Sequence, residues 1–119
     1  MISFRAAAMA FACVLTLSAC GQDKEAPPID NWAGRWNGVE GTYLDIRKAP
    51  QGGAYEIAIR DLDAERTFPA APNGSGLTFT RDDRRETIVA GNGEQTGMKW
   101  LADKKDCLVV KSGEGYCRD

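Results

Sequence analysis

The chain has 119 residues, 15 basic and 17 acidic side chains, no histidine and a formal charge of −2. Near-neutral balance without an arginine-rich run argues against a nucleic-acid surface. Missing histidine removes the Ser-His and Cys-His nucleophilic pairs and the usual general base, and it leaves too few ligands for a zinc site.

The first residues place one cation, Arg5, before an apolar run from Ala6 to Leu17. That is the charged and apolar order of an export signal. The run holds about a dozen residues, whereas a membrane-spanning helix needs ~20. It closes on Leu17-Ser18-Ala19-Cys20.

This tetrapeptide resembles the lipobox of bacterial lipoproteins, with a branched apolar residue, two small residues and a cysteine. The resemblance implies diacylglycerol on the Cys20 thiol and cleavage between Ala19 and Cys20. Gly21, rather than Asp, follows the cysteine. In that family this implies the periplasmic face of the outer membrane in a Gram-negative cell. Two or more acyl chains hold a protein stably on a bilayer. Cys13 falls in the discarded run.

Removal of residues 1–19 leaves 100 residues; with Arg5 the only charge lost, the mature charge is −3. Residues 20–30, polar and containing Pro27-Pro28, read as a lipidated cysteine and tether, and residues 31–119 as a single β domain. Short alternating segments follow, at residues 42–47, 55–60, 66–69, 77–81, 86–90, 98–101, 107–111 and 116–118. Pro69 marks the third as an edge strand, because proline cannot donate to a central ladder. Asn73-Gly74 is a hairpin signal, since both residues tolerate positive φ. About eight strands at 8–12-residue spacing, without an amphipathic helix, predict an all-β antiparallel meander that closes into a small barrel or packs as a sandwich.

Cys107 and Cys117 remain after Cys20, and in an oxidising compartment pairing is the default. A three-residue loop 111–113 with Gly113 left-handed sets Val110 opposite Glu114, Leu108 opposite Tyr116 and Cys107 opposite Cys117. That register predicts a cross-strand disulfide.

Trp32-Ala-Gly34-Arg-Trp36 contains a Gly-x-Trp that resembles the first strand of lipocalin-like barrels. The resemblance implies that Trp36 closes one end beneath an arginine of the last strand, here Arg118. The same tryptophans serve equally as core anchors. Gly41-Thr-Tyr-Leu-Asp45 and the segment from Thr96 to Cys107 resemble small proteobacterial lipoproteins, a group that implies no activity. Ser75-Gly-Leu-Thr-Phe79 is similar to the Ser-Gly-x-x-Tyr loop of membrane-bound lysozyme inhibitors, with Phe79 for tyrosine; a plain hairpin explains it as well. Asp61-Leu-Asp63-Ala-Glu65 imitates the opening of a calcium loop, but Arg66 stands where glycine is needed and Pro72 where glutamate is needed.

The expected protein is a non-enzymatic interaction or envelope-maintenance module on a lipid anchor. It carries no catalytic residue, metal or other cofactor, and its partner is an envelope protein. The loops and the Trp32, Trp36 and Trp100 region are where a partner surface is expected. The alternatives are a lipocalin-like carrier of a small apolar ligand and a lysozyme-inhibitor-like protein.

Overall fold

The computed structural model describes residues 29–118. A 3₁₀ turn, Ile29–Trp32, leads into β1 (Gly34–Asn37), β2 (Tyr43–Lys48), β3 (Tyr55–Arg60), β4 (Glu65–Asn73), β5 (Gly76–Arg81) and β6 (Arg84–Gly91). Two further 3₁₀ turns, Glu94–Thr96 and Lys99–Leu101, precede β7 (Asp106–Lys111) and β8 (Glu114–Arg118). Every strand is antiparallel to the next, and β8 returns to β1 through Asn37 opposite Cys117, so eight strands close a barrel. Closure leaves no long edge for another chain to pair with.

Alternation explains the inside of the barrel. Leu44 and Ile46 of β2, Tyr55, Ile57 and Ile59 of β3, Leu77 and Phe79 of β5, and Tyr116 of β8 are buried at every second position. They join Trp36, Ala70, Ile88 and Leu108 in one cluster to which each of the eight strands contributes. Such a small barrel is wide enough only for its own side chains. Two strands turn corners. β4 pairs through Glu65–Ala70 with β3 and through Ala71–Asn73 with β5, and β6 divides likewise between β5 and β7. Pro69 lies in the half of β4 that has only β3 as a ladder partner, a local edge inside a closed sheet.

The turns follow the backbone chemistry of their residues. Between β4 and β5 only Gly74 has positive φ, at 64°, and Asn73 is the last strand residue; this is the type II′ pattern. Asp82 and Asp83 are both left-handed between β5 and β6, a type I′ pattern without glycine.

The last hairpin carries the expected disulfide, Cys107–Cys117, with Leu108 opposite Tyr116. Gly113 is left-handed at 91°. One pairing differs: Glu114 faces Lys111, and a bulge between Val109 and Lys111 absorbs Val110. The expected three-residue loop is thus a two-residue turn plus a bulge, which restores the register by the cysteines. Both cysteines are buried with Leu101, Val39 and Met98 in a second cluster outside the barrel. With the cysteines ten positions apart, loss of the bridge should lower stability by about 2.5–3 kcal/mol through chain entropy. The double substitution Cys107→Ser with Cys117→Ser is therefore expected to melt well below the parent; equal melting temperatures would count against that contribution.

One expected strand is corrected. Residues 98–101 are a 3₁₀ turn (Lys99–Leu101), not a strand. β6 pairs directly with β7, Val89 to Gly91 against Val109 to Cys107, with no strand between them. A three-residue turn also sends Met98 and Leu101 to the same cluster, which strand alternation would separate. The eighth strand is instead β1, at the Gly-x-Trp motif. Ahead of residue 31, Ile29 packs on the core and Asp30 accepts a hydrogen bond from Tyr55.

Candidate functional site

The two ends of the barrel are built differently. At the end where β1 starts and β8 finishes, Trp36 is 2% exposed and its Nε1–H donates to the Trp32 carbonyl at 2.8 Å. The Arg118 guanidinium lies 3.8 Å from the centre of the Trp36 ring. Arg118 also donates to the carbonyls of Asn31, Trp32 and Ala33. Tyr55 donates its hydroxyl to Asp30, which Lys48 approaches to 3.2 Å. That hydrogen bond, with burial, pushes the Tyr55 hydroxyl up to about 12. The Tyr55 bond and Lys48 together hold Asp30 below the usual carboxylate value. This end is sealed by rings and satisfied polar groups.

The opposite end is a cleft of about 410 Å³. Val39, Leu62 and Met98 give it an apolar rim; Arg81, Glu114 and Tyr116 form its floor. The floor follows from strand alternation. Arg81 continues the inward face of Leu77 and Phe79, and Glu114 precedes Tyr116 on the inward face of β8. Arg81 meets Glu114 with two hydrogen bonds, of 2.7 and 3.0 Å, and Glu86 at 3.1 Å. Lys111 reaches Glu86 at 3.4 Å, and the Tyr116 hydroxyl donates to Glu114 at 2.8 Å. The side chains of Arg81, Glu86 and Glu114 are only 12%, 11% and 20% exposed.

Burial acts to raise the Glu114 carboxyl, but the Arg81 and Tyr116 hydrogen bonds outweigh it and hold it below its ordinary range. Burial, then the Glu114 charge, pushes the Tyr116 hydroxyl up. The Glu114 hydrogen bonds keep Arg81 firmly charged. Near neutrality the floor is thus a fixed set of charges, with Glu114 ionised and Tyr116 protonated. Such a floor can orient a ligand's polar groups.

The sequence-predicted residues fall into separate places. Ala19 and Cys20 lie outside the described residues. Trp32 and Trp36 are core, whereas Trp100 is 80% exposed. The expected tryptophan surface is therefore reduced to one residue. Ser75 sits in the β4–β5 turn, and Phe79 is buried against Phe68, 5.3 Å between ring centres. Phe79 is thus unable to enter an enzyme cleft. Asp61 accepts the backbone N–H groups of Asp63 and Ala64, which lower its carboxyl and make the acidic run a closed turn. Among the described residues no group of three or more Asp, Glu or Cys side chains gathers around a potential metal position.

The cluster of Arg81, Glu114 and Glu86 escaped the sequence reading. Its signal was present as charges on the inward phase at strand ends, but no spacing in sequence joins positions 81, 86 and 114. No family model, curated protein or solved structure matches the chain.

Proposed function

We propose that the protein is a lipid-anchored envelope protein whose barrel acts as a non-enzymatic binding module, with the cleft end as its contact surface. The observation that carries this reading is the filled interior. All eight strands contribute to one packed cluster, so any contact must be made at an end or on the outer wall. Of the two ends, one is sealed by Trp36 and Arg118 and the other offers an apolar rim over fixed charges. The Glu114 carboxyl, held ionised, and the Tyr116 hydroxyl, held protonated, suit recognition better than proton transfer near neutral pH.

The anchor rests on Leu17-Ser18-Ala19-Cys20. The full chain, expressed in a bacterium with labelled palmitate, is expected to incorporate label and lose residues 1–19. Cys20→Ala should remain an unlabelled precursor. Label on that variant would sink the anchor.

A second reading has one observation in its favour: the arginine-capped tryptophan at a closed barrel end, which resembles the lipocalin arrangement. A ligand would then sit in the 410 Å³ mouth, within the size range of small-molecule sites, rather than in the interior. Native mass spectrometry of the gently extracted protein separates the two. The module reading expects the covalent mass alone, two hydrogens light for the disulfide. An additional mass lost on denaturation favours the carrier.

A further inference from the structure

The ladder that closes the barrel is short. β1 ends at Asn37, and β8 meets it at one position, Asn37 opposite Cys117. Toward the cleft end, β8 also holds Tyr116, Gly115 and Glu114. There the chain of β1 turns away. The Gly38 N–H donates to the Thr42 carbonyl, and the Thr42 N–H to the Val39 carbonyl. Among the described residues, Gly115 therefore has no strand residue opposite it on the β1 side.

The direction of its backbone groups follows from the register. Opposed residues of an antiparallel pair alternate between a hydrogen-bonded position, with Cα atoms ~5.5 Å apart, and a closer non-bonded one at ~4.5 Å. Cys107 and Cys117 face each other with Cα atoms 4.0 Å apart, so theirs is a non-bonded position. Leu108 and Tyr116 then exchange both bonds, and Gly115, opposite Val109, is again non-bonded toward β7. The Gly115 N–H and C=O thus point to the side that β1 has left. That side is the cleft, which Gly115 lines together with Val39, Met98 and Glu114. A donor and an acceptor side by side on a strand edge are what one residue of an extended peptide complements.

The surroundings select among peptides. Directly opposed residues set their side chains on the same face of a ladder. A residue opposite Gly115 would turn its side chain to the outer face, where Val39 and Met98 pack beside Cys117. Glu40 and Asp61 bring negative charge to the cleft. Arg81 and Lys111 are already engaged by Glu114 and Glu86. The edge is also brief, because the Gly113 N–H is taken by the Thr96 carbonyl. One residue's pair of bonds and a cleft of about 410 Å³ suit a short peptide rather than a long strand.

We propose that the cleft binds a short extended peptide antiparallel to β8, whose central residue exchanges both backbone hydrogen bonds with Gly115, rests an apolar side chain on Val39 and Met98, and has a cationic neighbour that meets Glu40 and Asp61. This binding mode rests on the cleft end being the contact surface, and it adds the chemistry of what is bound there.

The probe is acetyl-Lys-Leu-Lys-amide, added to the ¹⁵N-labelled full chain as processed by the cell and held in detergent micelles. The expected result is a saturable shift of the Gly115 amide resonance and slower exchange of that amide with water. The Leu108 and Tyr116 amides, bonded to each other, should move little. A second probe, methylated on the leucine nitrogen, lacks the donor to the Gly115 carbonyl. It should bind at least about fivefold more weakly, the lower cost of a hydrogen bond left unmade at a buried acceptor. Exposed Glu40→Lys should weaken the unmethylated probe as well. Equal binding of the two probes overturns the pairing with Gly115. A Gly115 amide that stays unmoved at millimolar peptide overturns the binding mode altogether. A photoreactive side chain in place of exposed Leu62, irradiated in the intact envelope, then judges the broader reading separately. Capture of a protein there would keep the cleft as a contact surface with the peptide mode rejected, and no capture would remove both.

Discussion

Trp36→Ala is expected to cost about 3–5 kcal/mol, the range for truncating a fully buried tryptophan. For a domain of this size that corresponds to a fall in Tm of at least about 12 °C. Three losses coincide at the site. The indole leaves the centre of the packed cluster, the Trp32 carbonyl loses the Nε1–H donor at 2.8 Å, and Arg118 loses the ring 3.8 Å beneath it. Trp36→Phe keeps a ring under Arg118 and removes the donor, so it should cost clearly less. Urea unfolding of the two variants measures both. A loss below about 1 kcal/mol for Trp36→Ala would mean that neighbouring side chains collapse into the space, and that Trp36 is not the seal of that end.

Arg81→Met should be of similar size, about 3–5 kcal/mol, for an electrostatic reason. Removing one partner of a buried ion pair leaves the other charges without compensation. Here Glu114 and Glu86 would both lose their bonds to the guanidinium. The pH dependence distinguishes this cause from lost packing. In the parent, the Glu114 carboxyl is held below its ordinary value of 4.5. A depressed carboxyl contributes stability that is full above the unfolded value and is lost as pH falls through the lower folded value. In Arg81→Met the guanidinium is gone and burial, the largest influence on Glu114, is opposed only by the Tyr116 hydrogen bond and Lys111, so the carboxyl is expected to rise above its ordinary value and the sign to reverse. The variant should gain stability as pH falls from 7 toward 4.5 while the parent does not. Thermal melts across that interval measure the gap between the two proteins. A gap that stays constant with pH would assign the effect to packing alone.

Much of the barrel was legible before any coordinates. Residues 42–47 and 55–60 alternate with period two, and that period alone puts Leu44 with Ile46 and Ile57 with Ile59 on the faces that the fold buries. Counting outward from Gly113 sufficed for the disulfide. The count erred only where a bulge, a feature of the ladder rather than of either strand, added Val110. The segment 98–101 misled because four residues with apolar positions cannot separate a strand from one helical turn.

The site was less legible than the fold. Arg81, Glu86 and Glu114 read as ordinary charged residues at strand ends, and their charge carried no hint of a common destination. Their meeting depends on which strands become neighbours around the barrel and on how far each is staggered. Even the three tryptophans, alike in sequence, divide into two core anchors and one exposed ring only after the chain has closed. Local chemistry determined seven of the eight strands, the turns at Gly74 and Gly113, the cysteine pairing and the lipobox pattern, because each depends on residues a few positions apart. Tertiary structure decided the sealed end, the cleft and the exposure of Trp100, because each depends on distances between strands that alternation and turn chemistry do not encode.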